Sequence, residues 1–264
     1  MSHHDLIERH LAWCEASGMA GPTIRDRRKL LVRLERDCGP LLSVTTDGLV
    51  AWLVPFSGWT LCTYYGHAAA FFRWAILVEL LHVDPTQRMR PPRRPRGVPR
   101  PAPAEVVRAV LADGTDPYVT IVLLATYAGL RIGDIVRLRR EDVTEHTIRV
   151  RQGKGGKDAE LPTHADIWAH LKRRPAGLVL PGPAGMPLDP SHLATRFTRY
   201  LNRIGQPHVT AHQFRHLYGT LLYRSTRDLL LTQQLMRHSS VATTQIYAQL
   251  VDETKTAAIR GLQL

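Results

Sequence analysis

The residues best suited to chemistry lie in the second half of the chain: Arg131, Lys154, His212, Arg215, His238 and Tyr247. Arg131 follows Ala128-Gly129-Leu130 and opens a helical stretch, beside a glycine that permits tight backbone geometry. His212 and Arg215 are three apart, so they share a helical face near an N-terminus, a favourable place for an anion. Lys154 lies in Gly153-Lys154-Gly155-Gly156-Lys157, a glycine-rich turn between two strands that presents a flexible ammonium. His238 and Tyr247 are about 2.5 helical turns apart, or on adjoining elements. Each pattern alone also fits an ordinary role: a solvated arginine, a capping histidine, a buried tyrosine. The Gly-Lys-Gly run lacks the spacing GxxxxGK[ST] and joins two strands rather than a strand and a helix, which argues against a nucleotide loop.

The elements that must position these groups belong to a chain of 264 residues with 35 Lys+Arg, 23 Asp+Glu and a formal charge of +12. An apolar fraction of 44% is enough for folded cores and excludes wholesale disorder. The charge favours a polyanionic partner, either nucleic acid or an acidic membrane surface. Arginine supplies 30 of the 35 basic residues. It binds phosphate through a rigid fork that lysine lacks, although a GC-rich genome also produces such an excess. The three cysteines are widely spaced and form no CxxC, which argues against a disulfide framework or a cysteine zinc site. MSHHDLIERH lacks an apolar signal-peptide core. The 25 residues between Asp47 and Arg73 carry no formal charge, long enough to span a bilayer, but Pro55, Ser57, Gly58, Thr60 and Gly66 interrupt them. They are read as two buried helices joined at Pro55–Trp59. A soluble cytoplasmic protein without a membrane partner is expected.

Residues 88–103, RMRPPRRPRGVPRPAP, hold six Arg, six Pro and no acid. Proline this dense forms neither a helix interior nor a central strand, so an extended linker is expected between residues 1–87 and 104–264. Residues 1–87 hold 8 basic and 9 acidic residues; residues 104–264 hold 21 and 14. The excess charge therefore sits in the linker and the C-terminal part. The first part reads as four or five short helices. Leu6, His10, Leu11 and Cys14 share a face, and Ile24, Leu31 and Leu34 share another. Opposite them Arg25, Lys29, Arg33 and Arg36 form a basic stripe, either a phosphate-tracking surface or a solvated face. Phe71, Phe72 and Trp74, on a helix expected over Thr60–Leu81, are assigned to the core. The second part reads as mainly helical with a small antiparallel hairpin: strands at Thr147–Gln152 and Ala159–Pro162, and helices near 104–112, 118–127, 165–173, 192–204, 211–223, 227–237 and 241–250.

Taken in order, the local patterns resemble the boxes of the tyrosine recombinases, or phage-type integrases, including the Xer-type enzymes. Gly129-Leu130-Arg131 resembles the family's GLR box, and Gly153–Lys157 its GKGxK turn. His212-Gln213-Phe214-Arg215-His216 resembles HxLRH, Met236-Arg237-His238 resembles LGH, and Thr243-Thr244-Gln245-Ile246-Tyr247 resembles TTxxY. The strong resemblance covers about residues 104–264. Residues 3–85 resemble the family's helical core-binding domain less specifically. The implied fold is mainly α with a small antiparallel sheet: a helical (SAM-like) core-binding DNA domain at 1–87, the linker at 88–103, and an α+β catalytic domain at 104–264. The implied activity is site-specific recombination of duplex DNA through a 3′-phosphotyrosyl intermediate and a free 5′-hydroxyl.

The chemistry fits those residue types. Phosphodiester cleavage develops charge on the non-bridging oxygens, which the forks of Arg131 and Arg215 can hold. Tyr247 is the expected nucleophile and Lys154 the general acid for the leaving 5′-oxygen. His212 assists proton removal or braces the phosphate, and His238 donates to a phosphate oxygen. The covalent bond conserves the diester's energy and arginines replace a metal's charge, so neither cofactor nor metal is expected. Asp134 replaces the family's usual Glu three residues after the arginine and is read as a brace. His216 is assigned to packing or capping. Ala159 stands where an arginine is frequent, and Arg237 replaces the usual glycine before His238.

Backbone contacts to DNA are expected from Arg25, Lys29, Arg33, Arg88, Arg90, Arg93, Arg94, Arg96, Arg100 and Lys157. The resemblance implies a homotetramer on two DNA sites, with an accessory directionality factor as a further partner. With the first helix starting within ten residues of Met1, no N-terminal arm-binding domain is expected. A type IB topoisomerase and a catalytically silent DNA-binding regulator are the alternatives.

Overall fold

The computed structural model describes residues 3–95, 100–151 and 158–237. It divides into two compact units, Met1–Gly97 and Val98–Leu264.

The first unit contains α1 (His3–Ala16), α2 (Gly21–Cys38), α3 (Thr46–Leu53) and α4 (Gly58–Leu77). Pro22 sits in the first turn of α2, where its missing N–H costs nothing. Thr45 caps α3 by accepting from the Gly48 N–H at 3.1 Å. The apolar faces of these helices meet in one core of Leu6, Ile7, Leu11, Leu31, Leu34, Leu49, Phe71, Phe72 and Trp74. The uncharged run from Asp47 to Arg73 is indeed two helices, α3 and α4. Among the described residues no helix is long and apolar enough to cross a membrane. α4 stops four residues before the expected Leu81. Glu79 takes φ +58, and Leu80 N–H returns to the Ala75 carbonyl at 2.8 Å, a left-handed turn that ends a helix.

The basic stripe on α2 divides in two. Arg25 and Lys29 are exposed. Arg33 donates to Tyr64 Oη at 2.9 Å, lies 5.2 Å above the Phe56 ring and pairs with Asp37 at 3.5 Å. Its guanidinium thus bonds within unit 1 while the side chain stays 42% exposed. Arg88, Arg90, Arg93 and Arg94 are exposed, yet the chain carrying them is held against α4. The Cys62 thiol lies 3.5 Å from the Arg93 carbonyl, and Met89 N–H donates to Thr86 O at 3.0 Å. Arg96 lies outside the described residues.

Unit 1 also buries a polar cluster. Arg27, 8% exposed, donates Nε to His67 Nδ1 at 3.1 Å and Nη1 to the Cys14 thiol at 2.9 Å. Beside it, His10 is fully buried; loss of water, then the charges of Arg27 and His67, lower its pKa to about 4. Above pH 6.5 the unfolded chain's His10 is neutral too, so this contribution to stability is fully present. As the pH falls toward 4, the unfolded state takes a proton that the folded state refuses. Unit 1 should therefore lose about 3 kcal/mol on going from pH 7.5 to pH 4 through His10 alone. Urea denaturation followed by tryptophan emission reads this unit, which holds four of the five tryptophans. His10→Gln should flatten the dependence, and an unchanged slope would contradict it.

The second unit contains α5 (Ala104–Asp113), α6 (Tyr118–Tyr127), α7 (Ile132–Ile135), β1 (Thr147–Val150), β2 (Ala159–Pro162), α8 (Ala165–Leu171), α9 (Pro190–Arg203), α10 (Ala211–Thr226) and α11 (Leu229–Leu235). α6 is buried continuously from Thr120 to Ala125 and on to Thr126, so it is the central helix, and α10 packs along it. Capping fixes where the outer helices begin. Asp189 accepts from the N–H groups of Ser191 and His192, and Asp228 from those of Leu230 and Leu231. β1 and β2 pair antiparallel with Ile148 opposite Leu161 and Val150 opposite Ala159. Ile148, Val150 and Leu161 face the core while Thr147 and Arg149 face water. Beyond residue 103 the expected elements are recovered with ends shifted by a few residues, and the helix after Gly129 is a single turn. The helix expected over 241–250 lies outside the described residues.

Candidate functional site

Gly129, Leu130 and Arg131 connect α6 to α7, and the conformation there depends on glycine. Gly129 takes φ +61, and a β-carbon on it would sit 2.6 Å from Cε1 of Tyr218 on α10. Its carbonyl accepts from Nη1 of Arg215, one turn earlier on α10. Gly129→Ala should cost about 2–4 kcal/mol, combining left-handed strain with ring overlap. A urea midpoint left unmoved would show that the ring does not sit there.

Arg215 is 1% exposed. Burying a guanidinium is costly unless its donors are satisfied. Its second nitrogen, Nη2, donates to the Met236 carbonyl just after α11. Arg215 is therefore clamped between the end of α6 and the end of α11, with its orientation set by backbone rather than by mobile side chains.

Arg131 is the residue before α7, and its N–H donates to Asp134 Oδ2 at 3.2 Å. Asp134 is 7% exposed and also accepts from Nη2 of Arg237 at 2.5 Å. Arg137 approaches its other oxygen at 3.5 Å. The carboxylate thus holds the turn that presents Arg131.

Arg131, His212 and Arg215 line one pocket of about 290 Å³ with Thr198, Thr210 and Ile132. The pocket lies at the N-terminus of α10, where the helix dipole favours an anion. Partial loss of water, then the charges of Arg215 and Arg131, lower the pKa of His212. His216 stands edge-on to His212, ring centres 4.4 Å apart. Burial, then His212 and Arg215, bring its pKa to about 4. Both rings are neutral at pH 7. A neutral imidazole beside two guanidinium groups can accept a proton while the arginines hold an anion.

The structure thus brings together three of the six residues singled out for chemistry, with Asp134 and His216 directly behind them. Lys154, Lys157, His238 and Tyr247 lie outside the described residues. The strands that flank residues 152–157 are described, and Arg100 is exposed. Sequence reading missed Tyr218, Met236 and the bond from Arg237 to Asp134. The one available signal was that Arg237 and Asp134 both depart from the expected pattern and carry opposite charges.

Residues 109–254 match the family model described as "Phage integrase family". The chain belongs to the phage integrase family. Among curated relatives of this phage integrase family member, tyrosine recombinase XerC of Neisseria meningitidis is 32% identical over 195 residues, covering 67% of this chain and 64% of the relative. Tyrosine recombinase XerA of Thermococcus kodakarensis is 32% identical over 183 residues, covering 64% of this chain and 65% of that protein. The chain thus spans just under two thirds of these relatives' length. Among solved structures, a lambda integrase (75–356) dimer bound to a COC′ core site aligns with TM-score 0.77 at 18% identity, covering 92% of this chain and 94% of that one. The integrase from mycobacterium phage Brujita aligns with TM-score 0.50 at 29% identity over 94% of this chain and 89% of that one. These likenesses agree with the mainly helical fold and its two-stranded sheet.

Proposed function

We propose that this protein is a site-specific DNA recombinase that cuts and rejoins duplex DNA through a 3′-phosphotyrosyl intermediate. The observation that carries this reading is the shared pocket of Arg131, His212 and Arg215, two guanidinium groups and a neutral imidazole around a space at a helix N-terminus. The two arginines hold the scissile phosphate and stabilise the charge that develops on its oxygens. Tyr247 attacks phosphorus, Lys154 protonates the departing 5′-oxygen, and the new ester stores the bond for religation. His212 accepts the tyrosine proton or braces the phosphate, and His238 donates to a phosphate oxygen. Asp134 and His216 support Arg131 and His212. Arg25, Lys29, Arg33, Arg88, Arg90, Arg93, Arg94, Arg96, Arg100 and Lys157 supply backbone contacts and a steep salt dependence. Unit 1 serves as the core-binding domain and unit 2 as the catalytic domain. The active assembly is a homotetramer on two sites, a reading supported by the lambda integrase tetramer bound to a Holliday junction.

The test is covalent capture. Wild-type protein is incubated with a pool of nicked duplexes carrying a randomised core, denatured in SDS, and protein-linked DNA is recovered and sequenced. The expected result is an adduct on a restricted set of sequences, with the DNA remnant on Tyr247 by mass spectrometry. Absence of any adduct would favour a silent DNA-binding regulator. Relaxation of supercoiled plasmids without sequence preference would favour a type IB topoisomerase.

A further inference from the structure

Arg237 immediately precedes His238 and stands where the family resemblance leads one to expect glycine. Its backbone takes φ +52, which glycine adopts freely and a residue with a β-carbon adopts only under strain. Such strain persists where surrounding structure offsets it, and here an ion pair does. Arg237 Nη2 meets Asp134 Oδ2 at 2.5 Å, with the two side chains 13% and 6% exposed. The same oxygen accepts the Arg131 N–H at 3.2 Å. One residue earlier, the Met236 carbonyl accepts from Arg215. Two consecutive residues therefore bond to the two elements that carry the phosphate-binding arginines.

We infer that Arg237 is a positioning residue for the cleavage step: through Asp134 it fixes the turn that presents Arg131, and so sets where that guanidinium meets the phosphate. The inference rests on the recombinase reading. Asp134 has a competing partner, because Arg137, 47% exposed, lies 3.5 Å from its other oxygen. Without Arg237 the carboxylate can turn toward Arg137 and away from the Arg131 N–H. The pairing also accounts for two departures together, since a carboxylate one methylene shorter than glutamate is met by a long cationic side chain.

The test uses the nicked duplex recovered by covalent capture from wild-type protein. Adduct formation is timed at saturating protein, and affinity is measured separately. Arg237→Gly relieves the backbone strain, so it should fold. It should slow adduct formation about tenfold to a hundredfold with affinity changed by no more than about twofold. Asp134→Asn should do the same, and the double variant should be no worse than the slower single one, the signature of a shared path. In the free protein, hydrogen exchange should accelerate across residues 128–135 in Arg237→Gly. A wild-type cleavage rate in Arg237→Gly, multiplied losses in the double variant, or a loss confined to affinity would each overturn the inference. A wild-type protein that forms no adduct would fail the recombinase reading instead. The exchange measurement would then decide by itself whether Arg237 holds the Arg131 turn, and unchanged exchange would overturn the inference on its own.

Discussion

Arg215→Ala is expected to slow covalent DNA adduct formation by about a thousandfold while DNA affinity falls by no more than about tenfold. A thousandfold corresponds to about 4 kcal/mol of transition-state stabilisation. That is the size expected when one preorganised donor group aimed at developing charge is removed from a partly dehydrated site. Preorganisation is visible in the side chain's own bonds. Nη1 goes to the Gly129 carbonyl and Nη2 to the Met236 carbonyl, so the fork needs no reorientation when a phosphate arrives. Affinity is expected to be less sensitive because the proposed reading spreads it over many backbone contacts. The same bonds predict a cost in stability, since the substitution leaves two carbonyls without a donor at about 1–3 kcal/mol each. The assay therefore needs a melting curve beside it, run at a temperature where the variant stays folded. Arg215→Lys separates charge from geometry. It keeps the charge and loses the planar fork that reaches two acceptors, so its rate should remain far below wild type. A lysine variant with the wild-type rate would show that only the charge at that position matters.

The arrangement of this site explains which parts were legible in the sequence. Gly129 and Arg131 declared themselves locally, because a glycine before a helix start has few other uses. His212 and Arg215 did so by helical spacing. That Arg131, His212 and Arg215 line one pocket was not local, since it depends on α10 packing along α6, residues more than eighty positions apart. The bond from Arg237 to Asp134 spans 103 positions and belongs to no periodic pattern. Arg33 shows another non-local feature. Its spacing placed it on a basic stripe, and Tyr64 and Phe56, on the chain that follows α3, add partners for its guanidinium that spacing does not reveal. Periodicity states which face a residue occupies and not what another element brings to that face. The early end of α4 is of the same kind: the pattern through Leu81 stays apolar, and only the left-handed turn at Glu79 stops it.

Tyr247→Phe is expected to remove the covalent adduct completely while DNA binding persists. The substitution deletes one oxygen atom, and in the proposed reaction that atom alone becomes the new ester partner of phosphorus. Phenylalanine retains the ring, so failure to bind DNA would point to misfolding rather than chemistry. In the proposed reading the pocket still holds a phosphate, because Arg131, His212 and Arg215 are untouched. Wild-type affinity with no adduct would therefore separate binding from cleavage within one protein. The salt dependence of binding should also stay unchanged, since no phosphate contact is lost. Mixing Tyr247→Phe with Arg215→Ala goes one step further. If each tyrosine attacks the phosphate held by its own pocket, the mixture forms no adduct, because one protomer lacks the nucleophile and the other the clamp. If the tyrosine is delivered to a neighbouring protomer's pocket, the mixture regains part of the activity: the intact pocket of the phenylalanine variant receives the tyrosine of the alanine variant. An adduct formed by Tyr247→Phe alone would refute the nucleophile assignment, and the residue carrying the DNA would identify the one that acts instead.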